Sequence, residues 1–323
     1  MAVIESYMAA KCHHLASPWA VFPFLVTIEA MISISSLRKY ARQFIQLLQH
    51  LLFKAFKTPW VQGYLRLGHG AKGLLYGLIG IFVVNDILYN QPIVDGSEGV
   101  LATLGRQPLG SVMLGLLSVG LSGYVLWRLI QASIDPGHSE PPTIRQGLQR
   151  CGYLGSGLAY LGIARTAAKL AFGLVVNFDD TLEDVADVLF ERSIGPWMLL
   201  ALGLCVVAVG CTYLYGAASG SYINDFRSDL NSDVKGWVDA IGKIGITARG
   251  VGFVLIGAYL MKAAYFVDSD SAGGIGYVFD QLDDQPLGEY WLGAIALGFI
   301  AYAVYMIVAA CYRKFPTANL RTD

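Results

Sequence analysis

Ionisable side chains inside apolar segments are the residues best placed to do chemistry in this chain. A charge within a membrane helix is costly and marks a ligand or ion site by default. Six such residues interrupt apolar stretches: Lys72, Asp86, Arg165, Lys169, Arg249 and Lys262. Repetition along the chain sorts them. Lys169 and Lys262 correspond at an offset of 93 residues, and Asn85 is the matching position 84 residues before Lys169. Lys72, Ser156 and Arg249 form a second corresponding set. Lys169 stands 18 residues beyond Cys151, about 27 Å along a helix, which puts the first set near one membrane surface. Lys72 and Arg249 stand about 9 Å inside the opposite helix end. All four can snorkel to an interface. The simpler expectation pairs the outer lysines with Asp86 and neighbouring acids and the inner two with lipid phosphates. The sharper one is a polar ring of Asn85, Lys169 and Lys262 about a central axis, since rings of basic residues favour anions. Arg165 shares a helix face with Lys169 at i, i+4.

Other chemistry is absent from the sequence. There is no nucleophile elbow, phosphate-cradling glycine loop or metalloprotease motif. The five cysteines, Cys12, Cys151, Cys205, Cys211 and Cys311, form no CxxC pair, and the five histidines are scattered. The expectation is therefore no enzyme, no resident metal and no cofactor. A net charge of -1 leaves no nucleic-acid footprint.

The elements that must position these residues follow from composition. With 55% hydrophobic and 15% charged residues and a mean hydropathy of +0.51, the chain reads as an all-α integral membrane protein. Spans of about 20 apolar residues fall near 67–89, 109–133, 151–176, 195–218, 243–267 and 288–312. Basic residues cluster before the first span and in alternate connections: Arg66, Arg145, Arg150, Lys235, Lys243, Arg313 and Lys314 are examples. The positive-inside bias then makes both termini cytoplasmic. The opposite connections hold 14 acids, including Asp95, Asp180, Asp187, Asp270 and Asp284, against Arg106 and Arg192. Val185, Ala186, Val188 and Leu189 alternate with acids at helical spacing, so these connections should form short interfacial helices. Residues 1–33 are a leader of uncertain status, with Met31 an alternative start. Residues 34–60 hold a basic amphipathic helix suited to anionic lipid at the interface.

Internal repetition is the strongest pattern. The first span opens Arg66-Leu-Gly-His-Gly-Ala-Lys72-Gly73, the third Arg150-Cys-Gly-Tyr-Leu-Gly-Ser156-Gly157, the fifth Lys243-Ile-Gly-Ile-Thr-Ala-Arg249-Gly250. Gly68, Gly152 and Gly245 correspond, as do Gly73, Gly157 and Gly250, with an aromatic three residues later: Tyr76, Tyr160, Phe253. Gln107-Pro108-Leu109-Gly110 matches Gln285-Pro286-Leu287-Gly288 at an offset of 178, which also pairs Tyr124 with Tyr302; the middle copy keeps Gly195. Such glycines are read first as helix-packing positions, because lipid supplies no hydrophobic drive for helix pairing. These motifs resemble the bacterial membrane family called domain of unknown function 1206, whose tandem two-helix repeats are usually three in number. Gly155-Ser156-Gly157 departs from its basic motif. The resemblance implies a fold and no activity.

Three hairpins that each start and end on one side are parallel repeats, related by an axis along the membrane normal. The expected fold is six transmembrane helices with pseudo-threefold symmetry, as repeats 64–135, 148–220 and 241–314 after the amphipathic helix. The leading functional expectation is a non-enzymatic scaffold or accessory subunit of a membrane complex, with membrane lipid and a protein partner as its contacts. A small ion or solute transporter along the axis is one alternative. Lipid or pigment binding is another. The expected location is a bacterial plasma membrane or an internal membrane such as the thylakoid.

Overall fold

A computed structural model describes residues 58–89, 91, 96–134, 144–176, 181–226 and 232–313. The leader, nearly all of the 34–60 segment, and acids such as Asp95 and Asp180 lie outside the described residues. The chain divides into two compact units after Thr58, and the second, Pro59–Asp323, contains every described helix.

The described residues of this second unit are mostly helical, in a repeating order of long, short, long. Repeat one holds α1 (Pro59–Tyr89), α2 (Gly96–Gly105) and α3 (Gly110–Ile134). Repeat two holds α4 (Ile144–Ala171), α5 (Thr181–Phe190) and α6 (Gly195–Ser219). Repeat three holds α7 (Ser232–Phe266), α8 (Ile275–Asp283) and α9 (Gly288–Tyr312). The three short helices occupy the acidic connections, where helical spacing of apolar residues placed them. Each long second helix begins at a corresponding glycine: Gly110, Gly195 or Gly288. A side chain there would collide with the carbonyl end of the short helix, Leu104 O, Leu189 O or Leu282 O. In the first and third copies the preceding leucine, Leu109 or Leu287, is held at φ 65°. That left-handed conformation is rare for a leucine, and its recurrence shows the same corner built twice.

Among the described residues, five helices are long and apolar enough to cross a membrane: α1, α3, α6, most of α7, and α9. The protein is thus a multi-pass membrane protein. The fourth helix differs from the expectation of six spans. It has 28 residues, ample for about 30 Å of hydrocarbon, but Arg150, Arg165 and Lys169 lower its apolarity. Exposed leucines such as Leu74, Leu116, Leu158, Leu204 and Leu297 cover the outside, as a lipid-facing surface requires. Trp60, Trp197, Trp237 and Trp291 are exposed close to helix ends, where indole rings favour the headgroup region.

Neighbouring long helices follow one another in the order α4, α3, α1, α9, α7, α6. Two kinds of seam recur. Within repeats one and three the helices approach at Gly68 and Gly245: an added side-chain carbon would lie 2.7 Å from Gly123 C in the first and 2.9 Å from Tyr302 Cβ in the second. Between repeats the contact is made by the second glycine set. A carbon added at Gly73 would lie 3.0 Å from Ala303 O, one at Gly157 3.4 Å from Arg128 Cβ, and one at Gly250 3.2 Å from Gly210 O. The middle hairpin breaks the pattern. Among the described residues, α4 and α6 do not pack along each other. Gly152, counterpart of Gly68 and Gly245, has nothing within 4 Å of an added carbon.

The end of α9 is tied to the first helix. Arg66 donates to Ala310 O at 2.9 Å and to Cys311 O, capping carbonyls that the end of α9 leaves unpaired. His69 Nδ1 donates to Leu65 O at 2.9 Å, so its Nε2 is the acceptor facing Arg313 NH1 at 3.3 Å. At the start of repeat three the Tyr222 hydroxyl donates to Asp239 Oδ1 at 2.8 Å, and Asp239 also pairs with Lys243 at 3.1 Å. Burial, then that carboxylate, pushes the Tyr222 hydroxyl up, which keeps it a donor.

Candidate functional site

Lys72 lies one turn after Gly68 and one residue before Gly73. Gly68 sits in the seam within its repeat and Gly73 in the seam to the next. A side chain between two seams points into the bundle. The same construction holds for Arg249, between Gly245 and Gly250. Lys72 is accordingly 1% exposed and Arg249 3% exposed, where snorkelling to lipid phosphates was expected. Three equivalent positions, Lys72, Ser156 and Arg249, thus bring two basic groups and one hydroxyl toward the interior.

Tyrosines surround them. Lys72 Nζ donates to the Tyr124 hydroxyl at 2.8 Å, and Arg128 Nε donates to the same oxygen at 2.7 Å. Arg249 NH1 donates to the Tyr160 hydroxyl at 3.0 Å, which in turn donates to Tyr76 at 3.2 Å. Ring faces complete the enclosure. Lys72 Nζ stands 4.3 Å from the Tyr124 centroid, 5.0 Å from Tyr160 and 5.4 Å from Tyr302. Arg249 Cζ stands 4.9 Å from Tyr76, 5.1 Å from Tyr213 and 5.1 Å from Tyr302. The two cations therefore share the Tyr302 ring.

No carboxylate pairs with Lys72, Arg128 or Arg249 among the described residues. Along α1 and α7 the nearest acids are Asp86, 14 residues beyond Lys72, and Asp239, 10 residues before Arg249. Hydroxyls and ring faces offset part of the desolvation, each desolvated cation–π contact contributing about 2 kcal/mol. They carry no negative charge. A guanidinium stays protonated in proteins, and taking such an ion out of water costs several kcal/mol. Two buried polar atoms have no hydrogen-bond partner here: Arg249 Nε and Ser156 Oγ. Positive charge and unused donors together are the chemistry that accepts an anion.

A partly open pocket leads to it. Tyr76, Tyr160 and Arg249 form its floor, and Ile79, Ile163, Ile256 and Phe299 its walls. Ser97 of α2 and Ile275 of α8 close the far end. Its cavity volume is about 70 Å³.

The outer positions lie differently. Asn85 and Lys262 are exposed and Lys169 is half-buried, with Lys262 Nζ 5.8 Å from the Tyr259 ring. Arg165 is exposed on α4, and Asp86 is 5% exposed on α1. Reasoning from sequence missed Arg128 and the tyrosine cage. The correspondence of Tyr124 with Tyr302 and of Tyr76 with Tyr160 was the available signal, since it placed aromatics near every inner basic position. Among the described residues no cluster of potential metal ligands occurs.

Similarity to known proteins runs along the repeats. The profile of the family described as Domain of Unknown Function (DUF1206) matches three times in tandem, over 67–135, 151–220 and 244–313. The chain is also similar to an uncharacterized protein, YxxB, of Bacillus subtilis (strain 168). The two are 30% identical over 258 residues, covering 79% of this chain and 92% of the relative. No solved structure matches.

Proposed function

The chain belongs to the Domain of Unknown Function (DUF1206) family, and from that premise we propose that it is a non-enzymatic membrane protein that binds an anionic ligand within the bundle. The observation that carries this is the tyrosine-lined cluster of Lys72, Arg128 and Arg249, which holds no carboxylate among the described residues and leaves Arg249 Nε unused. Of the three functional expectations, scaffold, transporter and lipid binder, the last fits a basic floor beneath apolar walls. In this reading all six long helices span. The fourth runs antiparallel along α3, from Gly157 against Arg128 to Ala164 O, which accepts from Ser118 Oγ at 2.8 Å. The three hairpins are related by a pseudo-threefold axis, and the inner ends carrying Arg66, Arg150 and Lys243 face the cytoplasm of a bacterial cell.

Ligand binding to the folded state alone stabilises it by about 2.7 kcal/mol at a hundred times Kd. The purified full chain in neutral detergent should therefore melt several degrees higher with a suitable anion. Inorganic phosphate, palmitate and dioleoyl phosphatidate are the probes. The shift should vanish in Lys72→Met and Arg249→Met. A panel that moves the wild type and both variants equally would reject the reading.

A further inference from the structure

We infer that the ligand is a single-chain anionic amphiphile, and that it reaches Arg249 sideways, between α4 and α6 of the middle hairpin. This rests on the anion-binding reading and gives it a chemical class and a route.

The class follows from the pocket. Its floor offers a buried guanidinium nitrogen with no partner, a hard demand for an anionic head. Its walls above that floor are aliphatic and aromatic, from Ile79 to Ile256. Ile256 is seven residues beyond Arg249, so the apolar wall continues for about 10 Å of helix rise. A small hydrated anion has no use for such walls. The cavity itself is only about 70 Å³, well below the roughly 300 to 1,000 Å³ of sites that enclose a whole ligand. It takes a head and the first carbons of one chain, the rest of which runs out through the open side, and two chains would not enter beside each other. The head is a carboxylate or a phosphate, since both accept from a guanidinium.

The route follows from the repeats. Repeats one and three close their hairpins by apposing Ala71 to Gly120 and Ala248 to Gly298. By the same register the middle copy would appose Gly155 to Cys205. Instead Gly155 is exposed with nothing within 4 Å, and Cys205 is exposed and free. The middle hairpin keeps the small residues of a closing seam and leaves it open. The floor residue Tyr160 lies on α4, and Arg249 lies on α7, beside which α6 packs. The open seam therefore borders the pocket on its α4 side. Ser156, with its own hydroxyl unpartnered, stands one turn from Tyr160 along this path.

The test uses the full chain in nanodiscs of neutral lipid, with Cys12, Cys151, Cys211 and Cys311 replaced by Ser. Probes are palmitate, palmitoyl lysophosphatidate, dioleoyl phosphatidate and inorganic phosphate. Palmitate, the single-chain phosphate or both should bind, at least tenfold more tightly than the two-chain lipid or phosphate, and Arg249→Gln should weaken them at least tenfold. Arg249→Lys, which keeps the charge, should recover part of the loss. Which head binds better identifies the source. With Cys205 also replaced by Ser, coupling of a bulky maleimide to Gly155→Cys should fill the open seam and slow uptake of the single-chain probe at least tenfold, while the unlabelled variant takes it up at the wild-type rate. Uptake unchanged by the label overturns the lateral route. Arg249-dependent binding of inorganic phosphate or the two-chain lipid in preference overturns the ligand class and leaves the anion-binding reading standing. No Arg249-dependent binding of any probe overturns both.

Discussion

Arg249 and Tyr124 hold opposite positions in the energetics of the inner cluster. A buried guanidinium without a counter-charge among the described residues keeps a desolvation cost that its ring faces and hydroxyl partners offset only in part. Replacing it by an apolar side chain of similar length removes that cost. Arg249→Met should therefore unfold at equal or higher temperature than the wild type in neutral detergent, a gain of about 1–4 kcal/mol, while ligand-dependent stabilisation is lost. A marked loss of stability would instead make Arg249 a strut of the tyrosine cage. Tyr124 is the converse. Its hydroxyl accepts from both Lys72 and Arg128, so Tyr124→Phe strands the buried Lys72 ammonium at about 1–3 kcal/mol and takes a partner from the half-buried Arg128. A melt of that variant indistinguishable from wild type would show that another group satisfies both. Retaining Arg249 at a cost in stability is the pattern expected of a functional residue.

The helix seams explain how much could be read in advance. The three copies, their short helices and their packing glycines are sequence-periodic, so registers such as Gly68, Gly152 and Gly245 were open to inspection. What each glycine faces was not. Gly68 and Gly245 touch backbone while Gly152 meets open space, and nothing local to Gly152 distinguishes it. The convergence of Lys72 and Arg249 was hidden for the same reason. Helix depth was calculable, but the rotation that turns both inward depends on which neighbours fill the two flanking glycine seams. Arg128 escaped notice because its counterparts, Tyr213 and Met306 by the register of Gly110, Gly195 and Gly288, are not basic. The seam contrast is testable by one substitution at three places. Gly68→Val and Gly245→Val should each cost about 1–3 kcal/mol by overpacking. Gly152→Val should be nearly neutral. Equal losses at all three, measured by thermal melts in detergent, would mean that the middle hairpin is closed as tightly as the others.

At the level of the whole molecule the question is parity. Among the described residues five helices are apolar enough to cross, and α4 decides whether their number is even. It packs antiparallel along α3 through Ser118 and Ala164, and its Ala164 and Ala167 are buried. A helix docked lengthwise on a spanning partner crosses with it, while the exposed Arg165 and the half-buried Lys169 near its end can reach the headgroups. Six crossings put α2 and α5 on the same side. Five, with α4 failing to cross, put them on opposite sides. Arg106 and Asp187 are exposed in or just beyond these short helices. In a background without native cysteines, Arg106→Cys and Asp187→Cys should react with an impermeant maleimide from the same face of intact cells, and Lys235→Cys only after permeabilisation. If Arg106→Cys and Asp187→Cys react from opposite faces, α4 does not span. The three hairpins are then not parallel, and the register that brings Lys72, Ser156 and Arg249 to one depth loses its symmetric origin.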